Sequence, residues 1–170
     1  MTFMLIREAR SSELEAVGEI RVAAYVADNF LAPDSEYAPT LRALGADGTG
    51  HVLVAVDGDQ ILGTVTLQSW PHGGDLMSRA GDAEIRALAV RPEARGAGLG
   101  KKLLGAVMDL AGREDARRLL LLTQPDMKAA HHLYEEAGFD RLPALDWSPR
   151  PGLTLLAYGL TLRPDPGELP

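Results

Sequence analysis

The stretch "EIRALAVRPEARGAGLGKKLL", from Glu84 to Leu104, predicts a strand, a corner and a helix in direct succession. Apolar residues dominate its first part, Pro92 and closely spaced glycines mark the corner, and an amphipathic pattern follows. The apolar stripe of this helix comprises Leu99, Leu103, Val107 and Leu110. The continuous apolar run "RRLLLLTQ" comes next and predicts a buried strand. A strand, a helix and a strand in this order form a β-α-β unit, which requires a parallel strand pair with a right-handed crossover.

The N-terminal region predicts a strand and a long helix before this unit. Residues 3–9, "FMLIREA", have the composition of a short strand. Residues 11–30 then place apolar side chains along one helical face. Ser12 and Glu15 have the spacing of a capping box, so we expect them to start this helix.

A second helix and a hairpin complete the first half of the chain. The helical stretch opens at Pro33 and Asp34 and is weakened by Pro39, which lacks a backbone N–H. The dipeptide Asp57-Gly58 is a strong hairpin signal between two apolar or alternating runs. We therefore expect antiparallel strands over His51 to Val56 and Gln60 to Trp70.

The second half predicts one more helix and two further strands. Residues 126–139 form a helical pattern that Gly138 closes as a C′ residue. A short strand at "FDRL", a Pro-rich loop from Pro143 to Pro151 and a last strand at "LTLLAYGLTL" follow. The whole order predicts an α/β fold with helices on both faces of a mixed sheet. A single domain over residues 1–163 and a flexible tail over 164–170 are expected.

Composition excludes several classes of function. The chain of 170 residues has a formal net charge of −7 and no cysteine. The acidic balance argues against nucleic-acid or membrane partners, and the absence of cysteine excludes disulfides and thiolate chemistry. No apolar run approaches the length of a membrane span, and the opening residues lack the pattern of a signal peptide. We therefore expect a cytoplasmic protein.

Three phosphate-binding motifs place glycines before a helix, as the corner of this chain does. The pattern G-x-G-x-x-G fails because its last position falls on Lys101. A P-loop fails twice, because Arg95 and Lys102 stand where a glycine and a hydroxyl are required. The pattern R-x-x-G-x-G remains, with Arg95, Gly98 and Gly100, and it predicts a pyrophosphate cradle at a helix N-terminus. The alternative is a plain tight turn in which glycine only supplies positive φ.

Two separate motifs resemble those of the GNAT superfamily of N-acetyltransferases. "LAVRPEARGAGLGKKLL" is similar to the acyl-CoA-binding motif of that family, and "AAHHLYEEAGF" is similar to its A-x-x-L-Y-E-x-x-G-F signature. The predicted order of elements also matches along nearly the whole chain. The resemblance implies a mostly antiparallel sheet of about seven strands around the central β-α-β unit. It also implies acetyl-CoA as co-substrate and acetyl transfer to a primary amine, small or peptidyl, by direct attack in a ternary complex.

The resemblance also implies roles for particular residues. Tyr134 would protonate the leaving thiolate, and Glu84 would accept the proton of the amine, through water. The alternative for Tyr134 is a tyrosine of the core, and the alternative for Glu84 is a solvated or ion-paired carboxylate. Strict alternation along the strand would place Glu84, Arg86, Leu88 and Val90 on one face. The residues implied to contact the coenzyme are Leu88, Ala89, Val90, Arg95, Gly96, Ala97, Gly98, Leu99, Gly100, Lys101, Ala130 and Tyr134.

Other aspects of function stay open at this point. The resemblance implies Asn at the position of Met127, and Gln124 could substitute for the lost polar group. This departure keeps a second function open, in which the protein is a non-catalytic acyl-CoA sensor or scaffold. The acceptor side is expected to include Tyr25, Phe30, Trp70 and His72, with Asp28 among the acidic groups nearby. His131 and His132 lack the companions of a zinc site, so no metal is expected. A homodimer through the last strands is compatible with the pattern, although the sequence does not determine the oligomeric state.

Overall fold

A computed structural model describes residues 4–74 and 76–164 of the chain. The strands are β1 (Met4–Glu8), β2 (His51–Asp57), β3 (Gln60–Ser69), β4 (Asp82–Val90), β5 (Arg118–Thr123), β6 (Asp140–Arg141), β7 (Trp147–Arg150) and β8 (Leu153–Thr161). The helices are α1 (Leu14–Ala27), α2 (Ala38–Ala43), α3 (Leu99–Arg113) and α4 (Lys128–Glu136). Phe3, predicted to open the first strand, and the predicted tail beyond Pro164 lie outside the described residues.

The strands form a largely antiparallel mixed sheet, as predicted. Their hydrogen-bonded order is β1-β2-β3-β4-β5-β8-β6, and β7 pairs with β8. The hairpin of β2 and β3 is confirmed, with Asp57 opposite Gln60. The parallel pair expected from the β-α-β unit is β4 with β5, whereas β5, β6 and β7 each pair antiparallel with β8.

Strand β7 was not predicted, and it adds one strand to the seven that were expected. It lies inside the expected Pro-rich loop. Trp147 pairs with Leu155 and Arg150 pairs with Leu153, and the register is irregular between these two pairs. Pro149 falls in the irregular part, where a residue without a backbone N–H does not interrupt a regular ladder. The prolines of this segment therefore limit the strand without preventing it.

The chain clusters into two compact units, each with its own apolar core. Among the described residues, the first unit comprises 4–67 and 87–107, and the second comprises 68–74, 76–86 and 108–164. In the first unit, one side of α1 packs on the hairpin through Val17, Ile20, Val52, Val54, Val56 and Ile61. In the second unit, the core includes Leu76, Met77, Leu120 and Ala157. The single domain over residues 1–163 stays a prediction.

The start of α1 differs from the predicted capping box at Ser12 and Glu15. The chain enters the helix through a short 3-10 turn, and the Glu13 carboxylate accepts the backbone N–H of Arg10 at 2.8 Å. The guanidinium of Arg7 donates to the same carboxylate at 2.8 and 3.0 Å. The hydrogen bond from Arg7 is the main cause that lowers the pKa of Glu13 from 4.5 to about 2. The carboxylate at the start of the helix is therefore that of Glu13, two positions before the predicted Glu15.

Helix α2 is shorter than predicted, and Pro39 helps to begin it. Pro39 lies in the first turn, where no intrahelical acceptor is available for a backbone N–H in any case. The predicted opening of the helix at Pro33 and Asp34 is wrong, because α2 begins only at Ala38 and the preceding residues form turns. Arg21 of α1 links the end of α2 to the sheet, because its guanidinium donates to the carbonyl groups of Leu41 and Leu44 and to the Thr66 hydroxyl at 2.9–3.0 Å.

The close approach of α1 and α2 leads to a prediction about Gly18. A methyl group at Gly18 would lie 2.6 Å from the Arg42 carbonyl oxygen, so the two helices would have to move apart. We expect Gly18→Ala to lower the free energy of unfolding by about 1–3 kcal/mol in urea denaturation, despite the better helix propensity of alanine. Gly105→Ala is the matched control, because the same methyl on α3 meets no heavy atom within 4 Å. The control should be neutral or stabilising, and a stabilising Gly18→Ala would contradict the packing.

Candidate active site

The corner between β4 and α3, in the first unit, has the geometry of an anion cradle. Gly96 and Gly98 have φ of 90° and 74°, in the region that disfavours side chains. Around both of them, no described heavy atom comes within 4 Å of an added Cβ. The glycines therefore shape the backbone and leave its outer side open.

The N-terminus of α3 continues this corner. Its first intrahelical hydrogen bond runs from the Lys102 N–H to the Gly98 carbonyl at 3.1 Å. The backbone N–H groups of Leu99, Gly100 and Lys101 precede the first available acceptor of the helix, so they point out of its end. Together with the positive end of the helix dipole, they suit an anion with several oxygens.

Two arginines at this corner contact the main chain of the first unit. The backbone N–H of Arg91 donates to the Leu62 carbonyl at 2.8 Å, and its Nε donates to the Ile61 carbonyl at 2.6 Å. Arg95 donates to the Val90 carbonyl through Nε and Nη2, each at 3.3 Å, and to the Asp28 carboxylate through Nη1 at 2.6 Å. The corner is thus anchored to β3, and the Val90 carbonyl predicted for coenzyme binding already accepts from Arg95.

Strand β4 does not keep the strict alternation expected from the sequence. Ala87 has a φ of 54°, which is rare for a residue with a Cβ. This break separates Glu84 and Arg86 from Leu88 and Val90, so the four residues do not share one face by simple alternation. Ala87 packs at the cluster of Val22, Ala38 and Leu41, and this tertiary packing stabilises the unusual backbone.

Glu84, the predicted base, is buried in the second unit. Only 4% of the residue is exposed. The carboxylate lies under the segment after β3, because a Cβ on Gly74 would be 3.0 Å from Oε2 and 3.6 Å from Oε1. Nearby, the Arg86 guanidinium donates to the Gln68 side-chain oxygen at 3.2 Å. Little of Glu84 is therefore accessible to solvent, and its role as a base stays a prediction.

An ion pair between the buried Asp82 and the partly buried Arg118 joins the first residues of β4 and β5. Asp82 accepts from Arg118 Nε at 2.9 Å and Nη2 at 2.8 Å, and it also accepts the Ser78 N–H at 2.9 Å. Burial acts to raise the pKa of Asp82, but the hydrogen bonds outweigh it and lower the pKa below its usual value. The parallel ladder begins at this pair and covers Asp82–Glu84 and Arg118–Leu120. The ion pair therefore holds the two strands together beside Glu84.

Tyr134, the predicted acid, lies on α4 in an aromatic cluster of the second unit. It is 6% exposed, and its ring centroid is 6.0 Å from those of both Phe139 and Tyr158. The Tyr158 hydroxyl donates to the Glu135 carboxylate at 3.1 Å. Burial and then this hydrogen bond raise the pKa of Tyr158 above its usual value. The neighbours hold the Tyr134 ring in one orientation, which both a catalytic and a core tyrosine require.

The loop between β5 and α4 shows what replaces the asparagine of relatives. Met127 occupies the N-cap position of α4 without a side-chain capping hydrogen bond, and its sulfur accepts the Thr123 hydroxyl at 3.5 Å. The buried His131 donates from Nε2 to the Gln124 carbonyl at 2.9 Å. This histidine is a core residue that ties α4 to the end of β5, a role that the sequence did not indicate. No group of three metal-binding side chains occurs within residues 4–74 and 76–164.

The predicted acceptor residues fall in both units. Tyr25 and Phe30 are partly buried in the first unit, where the Phe30 N–H donates to the Tyr25 carbonyl at 2.9 Å. Trp70, which is 42% exposed, and the exposed His72 follow β3 in the second unit.

Among the described residues, none of the helices has both the length and the apolar composition of a membrane-spanning segment.

A comparison with protein families identifies the chain. The model of the "Acetyltransferase (GNAT) family" matches residues 14–139, which include both sequence motifs and strands β2 to β5. The chain belongs to the GNAT acetyltransferase family. Its fold of an eight-stranded mixed sheet with helices agrees with this membership.

Two curated relatives of this GNAT protein are named as acetyltransferases. N-alpha-acetyltransferase 30 of Schizosaccharomyces pombe is 34% identical over 92 residues, which are 54% of this chain and 59% of that protein. Mycothiol acetyltransferase of Geodermatophilus obscurus is 36% identical over 95 residues, which are 56% of this chain and 30% of that protein. The chain thus matches between 30% and 59% of the length of these two relatives.

Solved GNAT structures share the fold over almost the whole chain. An acetyltransferase structure from Salmonella typhimurium, determined with acetyl-CoA, has a TM-score of 0.72 at 23% identity and covers 96% of both chains. Ribosomal-protein-alanine N-acetyltransferase of Brucella melitensis has a TM-score of 0.67 at 24% identity, with 93% of this chain and 99% of that chain covered. At these identities, the likeness shows the fold alone.

Proposed function

We propose that this GNAT protein is an N-acetyltransferase that moves the acetyl group of acetyl-CoA to a primary amine. The observation that carries the proposal is the cradle after β4, with positive φ at Gly96 and Gly98 and open space outside both. Family membership supports the same chemistry, because the relatives are named for acetyl transfer.

The residues of the cradle fit the diphosphate of coenzyme A. Backbone N–H groups of residues 96–101 would donate to the phosphate oxygens, and Arg95 would add a charge-assisted contact. By resemblance, Leu88 to Val90 would contact the pantetheine arm through the main chain, and Ala130 would contact the coenzyme from α4. Acetyl-CoA supplies an activated thioester, and no metal enters the proposed reaction.

The chemistry requires an amine without its proton and a protonated thiol as leaving group. An alkylamine with a pKa of about 10 is almost fully protonated at neutral pH, so a base must take its proton. We assign this role to Glu84, acting through water. Tyr134 would donate its hydroxyl proton to the thiolate, because a phenol keeps its proton at neutral pH. The amine nitrogen forms the new C–N bond as the thioester C–S bond breaks.

The acceptor is proposed only as a primary amine, small or peptidyl. One relative is named a mycothiol acetyltransferase and another an N-alpha-acetyltransferase, so the names support acetyl transfer without favouring one acceptor. The two aromatic residues near the end of α1, Tyr25 and Phe30, suit an amine carried on an apolar body. The exposed Trp70 and His72 are the candidates in the second unit.

A thiol-release assay with a panel of amines tests the proposal. Polyamines, amino acids, aminoglycosides and N-terminal peptides are each incubated with acetyl-CoA, and free thiol is recorded with a chromogenic disulfide. At least one amine should produce thiol above the rate of hydrolysis. A melting temperature that rises with acetyl-CoA, without thiol release for any amine, would instead favour a sensor or scaffold.

Replacement of Arg95 tests the coenzyme site. Arg95→Ala should raise the apparent KM for acetyl-CoA by about tenfold and lower kcat much less, because the contact is made in the ground state and the transition state alike. Steady-state kinetics at saturating amine provide the measurement. A loss confined to kcat would contradict the assignment.

Replacement of Glu84 tests the proton acceptor. Glu84→Gln should lower kcat/KM for the amine by about tenfold near neutral pH, since the amide cannot accept the proton. The defect should shrink as the pH approaches the pKa of the amine, because the free base then forms without help. A pH profile of both enzymes provides the measurement, and a defect that is constant with pH would contradict the role.

A further inference from the structure

The cradle arginine has a carboxylate partner that the proposed reaction does not use. Arg95 Nη1 donates to Asp28 Oδ1 at 2.6 Å, while Nε and Nη2 of the same guanidinium contact the Val90 carbonyl. Both residues are exposed, with 38% of the Arg95 side chain and 36% of the Asp28 side chain accessible to solvent. All three residues belong to the first unit, so this contact is internal to one compact part of the molecule.

Asp28 occupies an unfavourable position for a negative charge. It is the C-cap residue of α1, directly after Ala27. The carbonyl end of a helix carries partial negative charge, so a carboxylate there is destabilising unless a cation compensates it. Arg95 supplies that cation. A diphosphate that takes over Arg95 would leave Asp28 uncompensated at the helix end.

A diphosphate and Asp28 therefore compete for one guanidinium. The ligand must displace the carboxylate or share Arg95 with it, and in both cases the carboxylate repels the phosphates across a few ångströms. Since the pair is exposed to solvent, the competition is modest. Its effect is to weaken coenzyme binding and to make release of the diphosphate easier, because Asp28 can rejoin Arg95 as the ligand leaves.

We propose that Asp28 is a built-in counter-ion of Arg95 that the coenzyme displaces, and that it lowers coenzyme affinity and speeds coenzyme release. This inference rests on the proposed function, in that the ligand of the cradle is coenzyme A. It assigns to Asp28 a positioning role in coenzyme exchange, distinct from the acceptor side on which the sequence had placed it.

The test measures binding of coenzyme A itself by isothermal titration calorimetry. Asp28→Asn should tighten the dissociation constant by roughly threefold to fivefold, and stopped-flow displacement should show a slower dissociation rate by a similar factor. Glu19→Gln is the matched control. It breaks another exposed pair of the same unit, Glu19 with Arg42 at 2.8 Å, and should leave coenzyme affinity unchanged.

A double-mutant cycle separates displacement from general electrostatics. In the Arg95→Ala background, Asp28→Asn should change the dissociation constant by less than about 1.5-fold, because the competed cation is gone. Equal tightening in both backgrounds, or no tightening in the wild-type background, would overturn the role of Asp28 and leave the proposed function intact. Failure of the wild-type protein to bind coenzyme A would instead refute the proposed function.

Discussion

Replacing Tyr134 with Phe is expected to lower kcat by roughly tenfold to a hundredfold while the melting temperature stays within a few degrees of the wild type. The ring would keep its contacts with Phe139 and Tyr158, since phenylalanine retains the aromatic volume. The variant would lack the hydroxyl proton proposed for the departing thiolate. Thiol release at saturating substrates and a thermal melt of the same sample provide the two measurements.

Tyr158→Phe is the matched control for this experiment. It removes a hydroxyl from the neighbouring buried ring, which donates to Glu135, and it is not assigned to the reaction. Turnover of this variant should stay close to that of the wild type. If Tyr134→Phe also turned over normally, Tyr134 would be a core residue and the acid would have to be another group.

Replacing Arg21 with Met is expected to produce the largest loss of stability. Arg21 is 1% exposed, and its guanidinium donates to two backbone carbonyl groups and to the Thr66 hydroxyl. Methionine would fill much of the space but would leave these acceptors without their donor. We expect the free energy of unfolding to fall by about 3 kcal/mol or more, measured by urea denaturation.

Arg42→Met provides the comparison, because Arg42 is an exposed arginine of the same unit. Its guanidinium pairs with Glu19 at 2.8 Å, with 43% and 61% of the two side chains exposed. This change should alter the free energy of unfolding by less than about 1 kcal/mol. Similar losses for both variants would show that the buried network around Arg21 contributes nothing beyond a surface contact.

Much of the fold follows from local patterns in the chain. The apolar stripe of α3 is confirmed, because Leu99, Leu103, Val107 and Leu110 are all at most 8% exposed. The hairpin at Asp57-Gly58 and the C′ residue Gly138, with a φ of 98°, are confirmed as well. Each of these features depends on residues close in sequence, where spacing and glycine conformation decide the outcome.

Other features depend on contacts that no local sequence pattern marks. Ala87 adopts positive φ although alanine disfavours it, and no local signal marks the position. Strand β7 forms in a segment rich in proline because β8 provides a partner for it. His131 and Asp28 also acquire partners, Gln124 and Arg95, that their own sequence neighbourhoods do not indicate.

The amino-acid sequence by itself determined the hairpin, the parallel β-α-β unit and the glycine-rich corner, because hydrophobic periodicity and glycine φ preferences act over a few residues. Only the tertiary structure decided the burial of Glu84, the break at Ala87 and the pairing of Arg95 with Asp28. The physical reason is that desolvation and ion pairing depend on which groups meet in space. Packing across the whole fold brings these groups into contact, and the local patterns of a single sequence do not reveal such contacts.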